Sequence, residues 1–169
     1  MSNYEVVRRD AIPYAAIAIA VPMERLATAG PLNGEVFNWL AQQHVTPVGP
    51  PFWKYNLIDM AGQLELEVGV ATETPATADD RVSVGQLPAG RYLETTYHGH
   101  PDGLLQATAD LLAHADAQGL SFDKADSPTG ERWAARLEYY LTDPDDQPVM
   151  TQWDTTLSFK LTDGSRPTL

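Results

Sequence analysis

The feature that most constrains the fold of this chain is a secondary-structure pattern that occurs twice along its 169 residues. β-rich segments, one amphipathic helix and two further strands follow each other in the same order in both halves. The first repeat covers about residues 1–75 and the second about residues 80–165. Because a chain of this length is close to the usual size of one domain, we expect a single domain, residues 1–169, made of two β-α-β-β repeats.

In the first repeat, the predicted elements are two β-rich stretches, one helix and two strands: 4–7, 14–21, 34–44, 52–58 and 64–72. Asn33 is the expected N-cap of this helix. In the second repeat, the predicted elements are two strands, one helix and two strands: 81–86, 91–97, 103–118, 132–141 and 152–161. Asp102 is the expected N-cap of the second helix, and Gly119 the residue that follows its end. Its expected core stripe is Leu104, Leu105, Thr108, Leu111, Leu112 and Ala115.

Two such repeats can place their strands side by side in one antiparallel sheet, with both helices on one face. We therefore expect an α+β fold of tandem, pseudo-symmetric repeats. The other face of the sheet would be left uncovered. A ligand cleft is expected on that face, because pockets favour the junction between two halves.

Alternation along the predicted strand 132–141 indicates which side chains line this cleft. The more apolar set is expected to pack on the helices: Trp133, Ala135, Leu137, Tyr139 and Leu141. Arg136, Glu138 and Tyr140 then point to the other face. Aligning the two repeats with Tyr55 opposite Tyr140 puts Trp53 opposite Glu138. The predicted ligand-binding set is Glu138, Trp53, Tyr55 and Tyr140, with Tyr97 and Trp39 as further aromatic candidates.

A carboxylate among aromatic rings is a chemically specific environment. The rings attract a cation by about 0.5–2 kcal/mol per favourable contact, and the carboxylate neutralises its charge. If Glu138 is partly buried, its pKa should be raised, and it could serve as a general base. The alternative is that Glu138 is an ordinary solvated glutamate near Arg136, and Trp53 an ordinary core residue.

The charge and the absence of several motifs narrow the function further. The formal net charge is −12, from 23 acidic and 11 basic residues, so the chain should repel nucleic acid and attract cations. With no cysteine, disulfides and thiolate catalysis are excluded. Neither a P-loop, nor a strand-linked GxGxxG, nor a GxSxG motif is present. His98 and His100 lack an obvious third ligand, so we expect neither a metal nor a cofactor.

No apolar run is long enough to span a bilayer, and the first ten residues lack the apolar stretch of a secretory signal. We therefore expect a cytoplasmic protein that does not associate with a membrane.

Several short motifs, in their order and spacing, resemble the GyrI-like family of gyrase-inhibitor-like or AraC-type effector-binding domains. They are Tyr4-Glu-Val-Val, Gly49-Pro-Pro-Phe-Trp-Lys-Tyr, Leu64-Glu-Leu-Glu-Val-Gly-Val, Leu87-Pro-Ala-Gly-Arg-Tyr, Tyr97-His-Gly-His-Pro-Asp-Gly-Leu and Leu137-Glu-Tyr-Tyr-Leu-Thr-Asp-Pro. The resemblance implies two β-α-β-β units with a ligand cleft between them. In many members a buried glutamate on the penultimate strand meets cationic aromatic drugs, and Glu138 holds the matching Glu-x-Tyr position. The family often has His-x-Gly-x-Tyr before the second helix, whereas this chain has Tyr97 at the histidine position and Pro101 at the aromatic one.

The resemblance leaves three functions open. The first is a stand-alone binder of apolar, cationic aromatic molecules, as in multidrug effector domains of transcription regulators. The second is a hydrolase of strained, cyclopropane-type alkylators, with Glu138 as the base, Tyr55 or Tyr140 as the acid and Trp53 as a stacking wall. The third is an interaction protein of the gyrase-inhibitor type, which would bind a protein partner.

Overall fold

The computed structural model describes residues 3–59 and 61–162. Within these residues the chain forms ten strands and two α-helices: β1 Glu5–Arg9, β2 Ile12–Pro22, α1 Leu32–Gln43, β3 Pro47–Ile58, β4 Gln63–Thr72, β5 Ser83–Leu87, β6 Gly90–His98, α2 Leu104–Ala117, β7 Lys124–Ser127, β8 Gly130–Trp133, β9 Arg136–Tyr140 and β10 Asp154–Lys160. Short 3-10 helices lie at Met23–Ala29, Pro101–Gly103 and Met150–Gln152.

The strands form one antiparallel sheet, curled into a half-barrel, in the order β1-β6-β10-β9-β3-β4-β2-β5. The β7–β8 hairpin joins this sheet through the pairing of β8 with β3. Each repeat gives its first strand to the other, because β1 pairs with β6 and β5 pairs with β2. The predicted α+β fold of two repeats in an antiparallel sheet is confirmed.

Both helices lie on the same face of the sheet, as predicted. Glu138 in β9 is paired with Leu157 in β10 on one side and with Trp53 in β3 on the other, and directly paired residues share a face. Leu157 belongs to the core under α2, together with Leu93, Leu111, Trp133 and Phe159. Trp53 packs against the core under α1, which includes Val36, Leu40, Leu66 and Val68. We call this side of the sheet the helix-bearing face.

The other side of the sheet, the helix-free face, has its own apolar cluster: Tyr14, Ala16, Phe52, Leu87, Tyr92, Ala135 and Leu137. Phe52 stands at its centre, with the rings of Tyr14 and Tyr139 edge-on to it at 5.7 Å. Because its strands bury residues on both faces, much of this sheet is apolar on two sides rather than one.

Both helices differ in detail from the prediction. Helix α1 begins at Leu32, so Asn33 lies inside the helix rather than at its N-cap. Helix α2 begins after the 3-10 turn, with Gly103 at the N-cap position instead of Asp102. Leu105 is 68% exposed, so its predicted place in the core stripe is wrong. Gly119 follows the helix with a left-handed φ of 71°, in agreement with the prediction. Within the described ranges, neither helix has the length and apolar character needed to cross a membrane.

The largest correction concerns the predicted strand 132–141. It is two strands, β8 and β9, separated by Ala134 and Ala135. The break shifts the alternation by one residue, so Trp133 packs under α2 while Leu137 lies in the cluster of the helix-free face. The predicted assignment of Ala135, Leu137 and Tyr139 to the helices is therefore wrong. Arg136, Glu138 and Tyr140 are the side chains of β9 that face the helices.

Candidate functional site

Glu138 lies in the middle of the helix-bearing face, at the junction of the two repeats. It sits in β9 between a strand of its own repeat, β10, and β3, the strand of the first repeat that lies at the junction. Its neighbours across these strands, Leu157 and Trp53, belong to the cores under α2 and α1 respectively. The carboxyl group is thus partly buried between the two helices.

Two tyrosine hydroxyls donate to one oxygen of this carboxylate. Tyr140 donates to Oε1 of Glu138 over 2.5 Å, and Tyr55 donates to the same oxygen over 3.2 Å. Among the residues that the structure describes, the second oxygen, Oε2, accepts no hydrogen bond. The carboxylate therefore keeps one oxygen available for a further donor.

The surroundings of Glu138 favour its neutral form. Burial raises the pKa of its carboxyl group, against the opposing effects of the two tyrosine hydrogen bonds and of the nearby Arg136 charge. Burial also raises the pKa of Tyr55 and of Tyr140 well above the ordinary value, and the Glu138 charge adds to this. Both phenols consequently keep their protons at neutral pH and act as donors.

An aromatic wall stands beside the carboxylate. The ring of Trp53 meets the ring of Tyr140 edge-on, with centroids 5.4 Å apart. Its indole Nε1 donates to Oδ1 of Asn33 over 3.0 Å. Because Asn33 lies on α1, the helix fixes the orientation of the indole next to Glu138. Asn33 was predicted to cap the helix, whereas its side chain accepts the hydrogen bond that supports this wall.

A buried arginine completes the cluster on the side of α2. The guanidinium of Arg136 lies over the rings of Trp133 and Phe159, at 4.7 and 4.8 Å from their centroids. Burial lowers its pKa, while the charges of Glu138, Tyr55 and Glu131 act in the opposite direction. From the sequence, Arg136 was expected on the same face as Glu138 but was not among the predicted ligand-binding residues. Its position two residues before Glu138 on the same strand was the signal that could have drawn attention to it.

The predicted pairing of Trp53 with Glu138 is present, although the alignment that led to it was wrong. The strands β3 and β9 run antiparallel, with Trp53 paired to Glu138 and Lys54 to Leu137. Tyr55 and Tyr140 therefore lie on opposite sides of this pair along the strands, rather than opposite each other. Their hydroxyls nevertheless reach the same oxygen of Glu138.

The other two aromatic candidates lie apart from the carboxylate. Tyr97 is on the same face as Tyr140, with Thr155 between them, and its hydroxyl donates to the backbone oxygen of His100 over 2.9 Å. The indole of Trp39 donates to Asp79, in the loop between β4 and β5, over 2.8 Å. In the described part of the chain, neither residue has a hydrogen bond or ring contact with Glu138.

The two histidines of the loop before α2 have hydrogen-bonding roles. Nδ1 of His98 lies 2.8 Å from Oδ1 of Asp154, and Nδ1 of His100 accepts from the backbone nitrogen of Asp102. No cluster of three or more metal-binding side chains occurs within residues 3–59 and 61–162.

A cavity of about 600 Å³ lies on the helix-free face rather than beside Glu138. Its apolar walls include Ile12, Leu87, Tyr92 and Tyr139, and Arg9 is at its edge. Tyr139 and Glu138 are adjacent in β9 and point to opposite faces. The cavity and the carboxylate cluster are therefore separate features. We take the cluster as the candidate site, because it holds a partly buried carboxylate whose Oε2 accepts no hydrogen bond from a described residue.

The chain matches a known protein family and resembles several solved structures. The model of the GyrI-like small-molecule-binding domain matches residues 2–159. No curated protein sequence matches the chain. The crystal structure of the EcmrR C-terminal domain superposes with a TM-score of 0.77 at 14% identity, covering 96% of this chain and 99% of that one. In the EcmrR–DNA complex the chain spans 58% of the EcmrR chain, with a TM-score of 0.76 at 15% identity and 96% of this chain covered.

Two further structures have the same fold. SAV2435 bound to tetraphenylphosphonium has a TM-score of 0.64 at 10% identity, with 95% of this chain and 94% of that chain covered. A hydrolase from Listeria innocua has a TM-score of 0.59 at 10% identity, with 95% and 92% covered. At these identities the likeness concerns the fold alone.

Proposed function

Because this chain belongs to the family of GyrI-like small-molecule-binding domains, we propose that it binds an apolar aromatic cation between α1 and α2, at Glu138. The observation that carries this proposal is the state of the Glu138 carboxylate. It is partly buried, it is held by two phenols that carry no charge, and its Oε2 accepts no hydrogen bond from any described residue.

Among the described residues this carboxylate has no partner in a salt bridge, and the charge of Arg136 acts on it only from a greater distance. In the described residues no Lys, Arg or His nitrogen lies within 4.0 Å of it to form a salt bridge. Taking a charge out of water is costly unless a charge of opposite sign or several hydrogen bonds replace the solvent. A cationic ligand would supply that charge, and its arrival would favour the ionised form of Glu138 in spite of burial.

The aromatic wall favours the same class of ligand. The faces of indole and phenol rings attract a cation, with about 0.5–2 kcal/mol for each favourable contact. Trp53, Tyr55 and Tyr140 surround the carboxylate with such rings, drawn from both repeats. A relative with the same fold, SAV2435, has been captured with tetraphenylphosphonium, a cation whose charge is enclosed by four phenyl rings. This supports tetraphenylphosphonium as the first probe.

Isothermal titration with tetraphenylphosphonium tests the proposal. We expect Glu138→Gln to weaken binding by about 10- to 100-fold, because a buried ionic partner is worth roughly 1.5–3 kcal/mol or more. Glu73→Gln is the matched control, since Glu73 is exposed in the loop after β4 and should leave the affinity unchanged. The neutral analogue triphenylphosphine oxide should bind wild type and Glu138→Gln equally.

Equal affinity of tetraphenylphosphonium for wild type and Glu138→Gln would contradict the role of the carboxylate, and absence of binding to wild type would contradict this ligand class. Hydrolysis of strained alkylators and a gyrase-inhibitor-type protein interaction stay predictions. A carboxylate that binds a cation and one that activates water share the same surroundings, and no observation at Glu138 favours either alternative.

A further inference from the structure

Arg136 has a guanidinium group whose hydrogen-bond donors are unused. Across residues 3–59 and 61–162, no acceptor is hydrogen-bonded to this side chain, and no carboxylate lies within 4.0 Å of it. Its side chain is partly buried, on the helix-bearing face, two residues from Glu138 in β9. An arginine out of bulk water normally finds acceptors for its five N–H groups, because leaving them unpaired is costly.

Arg91, which is also only partly exposed, shows this rule, because it donates to the backbone oxygen of Thr162 over 3.2 Å. Three exposed arginines of the described chain are paired with a carboxylate as well: Arg9 with Glu94, Arg81 with Glu35 and Arg132 with Glu65. Arg8 and Arg25 are exposed, so water can serve them. Arg136 alone among these described residues is neither exposed nor provided with an acceptor.

The aromatic contacts of Arg136 provide no oxygen acceptor for these donors. The guanidinium group lies against the rings of Trp133 and Phe159, which attract its positive charge and meet each other at 69°. The rings therefore hold the group in place without forming the hydrogen bonds that a carboxylate or carbonyl oxygen would form.

Nearby carboxylates do not fill this role. Glu131 influences the guanidinium electrostatically, but its two oxygens accept from Lys124 over 2.6 Å and from Trp133 over 3.3 Å. Glu138 also acts on Arg136 through its charge, while Oε1 of Glu138 is occupied by the two tyrosine hydroxyls. The acceptor that the guanidinium edge lacks has to come from outside the described chain.

We infer that Arg136 is a second polar subsite of the same ligand site, which binds a carboxylate carried by the aromatic ligand. This inference rests on the proposed function. A planar carboxylate matches the guanidinium edge with two parallel hydrogen bonds, which makes such pairs both strong and selective. With Glu138 as the anionic subsite and Arg136 as the cationic one, the complementary ligand is an aromatic zwitterion rather than a simple lipophilic cation.

Two rhodamine dyes form a matched pair of probes. Rhodamine 110 carries a cationic xanthene ring and a free carboxylate, and rhodamine 123 is its methyl ester, which keeps the cation and lacks the anion. Fluorescence anisotropy with wild-type protein should show rhodamine 110 binding about tenfold or more tightly than rhodamine 123. In Arg136→Met this preference should disappear, while the affinity for rhodamine 123 stays the same or rises.

Two further variants guard against a general loss of folding. Arg136→Lys keeps the charge without the planar edge, so it should retain part of the preference. Arg132→Met makes the same change at an arginine whose side chain is 55% exposed, and should retain all of it. Near-ultraviolet circular dichroism of Trp53 and Trp133 reports whether the aromatic packing is intact.

Equal affinity of wild type for the two dyes would overturn the subsite, and so would equal weakening of both dyes by Arg136→Met. Failure of rhodamine 110 to bind would overturn it as well. Titration with tetraphenylphosphonium separates these results from a failure of the proposed function. Binding of that cation in a Glu138-dependent way would leave the proposed function standing without the subsite.

Discussion

The two faces of the sheet differ in how charged side chains that are shielded from water are compensated. On the helix-free face, each carboxylate that is shielded from water has a cationic partner from this chain. On the helix-bearing face, Glu138 is held by neutral phenols and Arg136 by aromatic rings. The same ten-stranded sheet thus carries contact ion pairs on one side, and on the other an acid and an arginine that influence each other's pKa without forming a salt bridge within the described residues.

Glu94 and Glu67 show the matched arrangement. Arg9 donates to both oxygens of Glu94, over 2.7 and 2.9 Å, and Ser158 adds a hydrogen bond of 2.6 Å. The Nζ of Lys54 lies 3.5 Å from Oε1 of Glu67.

Glu67 also accepts from neutral groups, Tyr14 over 2.8 Å and Asn56 over 3.1 Å. These hydrogen bonds and ion pairs of Glu67 and Glu94 stabilise the fold, because each of them joins two strands that are neighbours in the sheet. Glu138 and Arg136 have no such partner among the described residues, and this contrast supports the proposal that both bind a ligand.

Lys54→Met should have the largest effect, and it should lower the thermal stability rather than the ligand affinity. Lys54 is 8% exposed, and its removal leaves Glu67 shielded from water without a cation. Breaking a buried pair in this way costs about 2–4 kcal/mol, which corresponds to a fall in Tm of roughly 5–15 °C for a chain of this size. Thermal unfolding measures the loss, and tetraphenylphosphonium affinity at a temperature well below the Tm should be unchanged.

Lys124→Met provides the control for this change. Lys124 pairs with Glu131 over 2.6 Å, but both side chains are more than 30% exposed. An exposed pair is worth about 0–1 kcal/mol, so the Tm should move little. If Lys54→Met were as mild as Lys124→Met, the helix-free face would not depend on its matched charges, and the comparison between the faces would lose its basis.

Glu138→Gln should raise the thermal stability, in contrast to Lys54→Met, and only at higher pH. The pKa of Glu138 is raised in the folded chain, so the folded state binds more protons than the unfolded state above the ordinary value of 4.5. Wild-type stability therefore falls as the pH rises from that value through the raised pKa. Glutamine does not titrate, and its oxygen can still accept from Tyr55 and Tyr140.

The expected result is a gain in Tm of about 2–4 °C for Glu138→Gln over wild type at about pH 8, shrinking to nothing near pH 4. Calorimetry of both proteins across this range measures it. A gain that is the same at every pH would show that packing, rather than ionisation, is responsible. A loss at pH 8 would mean that the carboxylate stabilises the fold, as Glu67 and Glu94 do.

Comparison of the two faces also explains what the sequence could and could not predict. The repeat order and both helices on one face follow from periodicity, because long amphipathic segments and alternating strands are local patterns. The pairing of Trp53 with Glu138 was predicted as well, although by an alignment that does not hold in an antiparallel ladder. Short-range pattern thus predicted that Trp53 and Glu138 meet at the junction of the repeats.

The face of those residues could not be predicted from alternation. A two-residue break at Ala134 and Ala135 reverses which side chains face the helices, and nothing in the local composition marks it. The apolar character of Leu137 and Tyr139 was misleading, because the helix-free face also has an apolar cluster. The lack of a hydrogen-bond acceptor for Arg136 among the described residues depends on the three-dimensional fold, so it could not be predicted from the local sequence.

The smallest effect should come from the two phenols that hold Glu138, and it refines the contrast with the matched carboxylates. Each tyrosine hydrogen bond lowers the pKa of Glu138, with Tyr140 ahead of Tyr55, in line with distances of 2.5 and 3.2 Å. Tyr140→Phe should therefore raise that pKa further and move the pH at which tetraphenylphosphonium binding reaches half its maximum upward. Tyr55→Phe should move it in the same direction by less.

At neutral pH, Tyr140→Phe should weaken cation binding by about 2- to 10-fold, the effect of one ordinary hydrogen bond. Tyr97→Phe is the control, because its hydroxyl donates to the backbone of His100 and not to Glu138. Titrations from about pH 5 to about pH 9 measure all three variants. If the midpoint were the same in Tyr140→Phe as in Tyr97→Phe, the phenols would not tune the carboxylate. The negative charge of Glu138 would then be compensated by the ligand and not by the phenols, in still sharper contrast to Glu67 and Glu94, which have cationic partners in the chain.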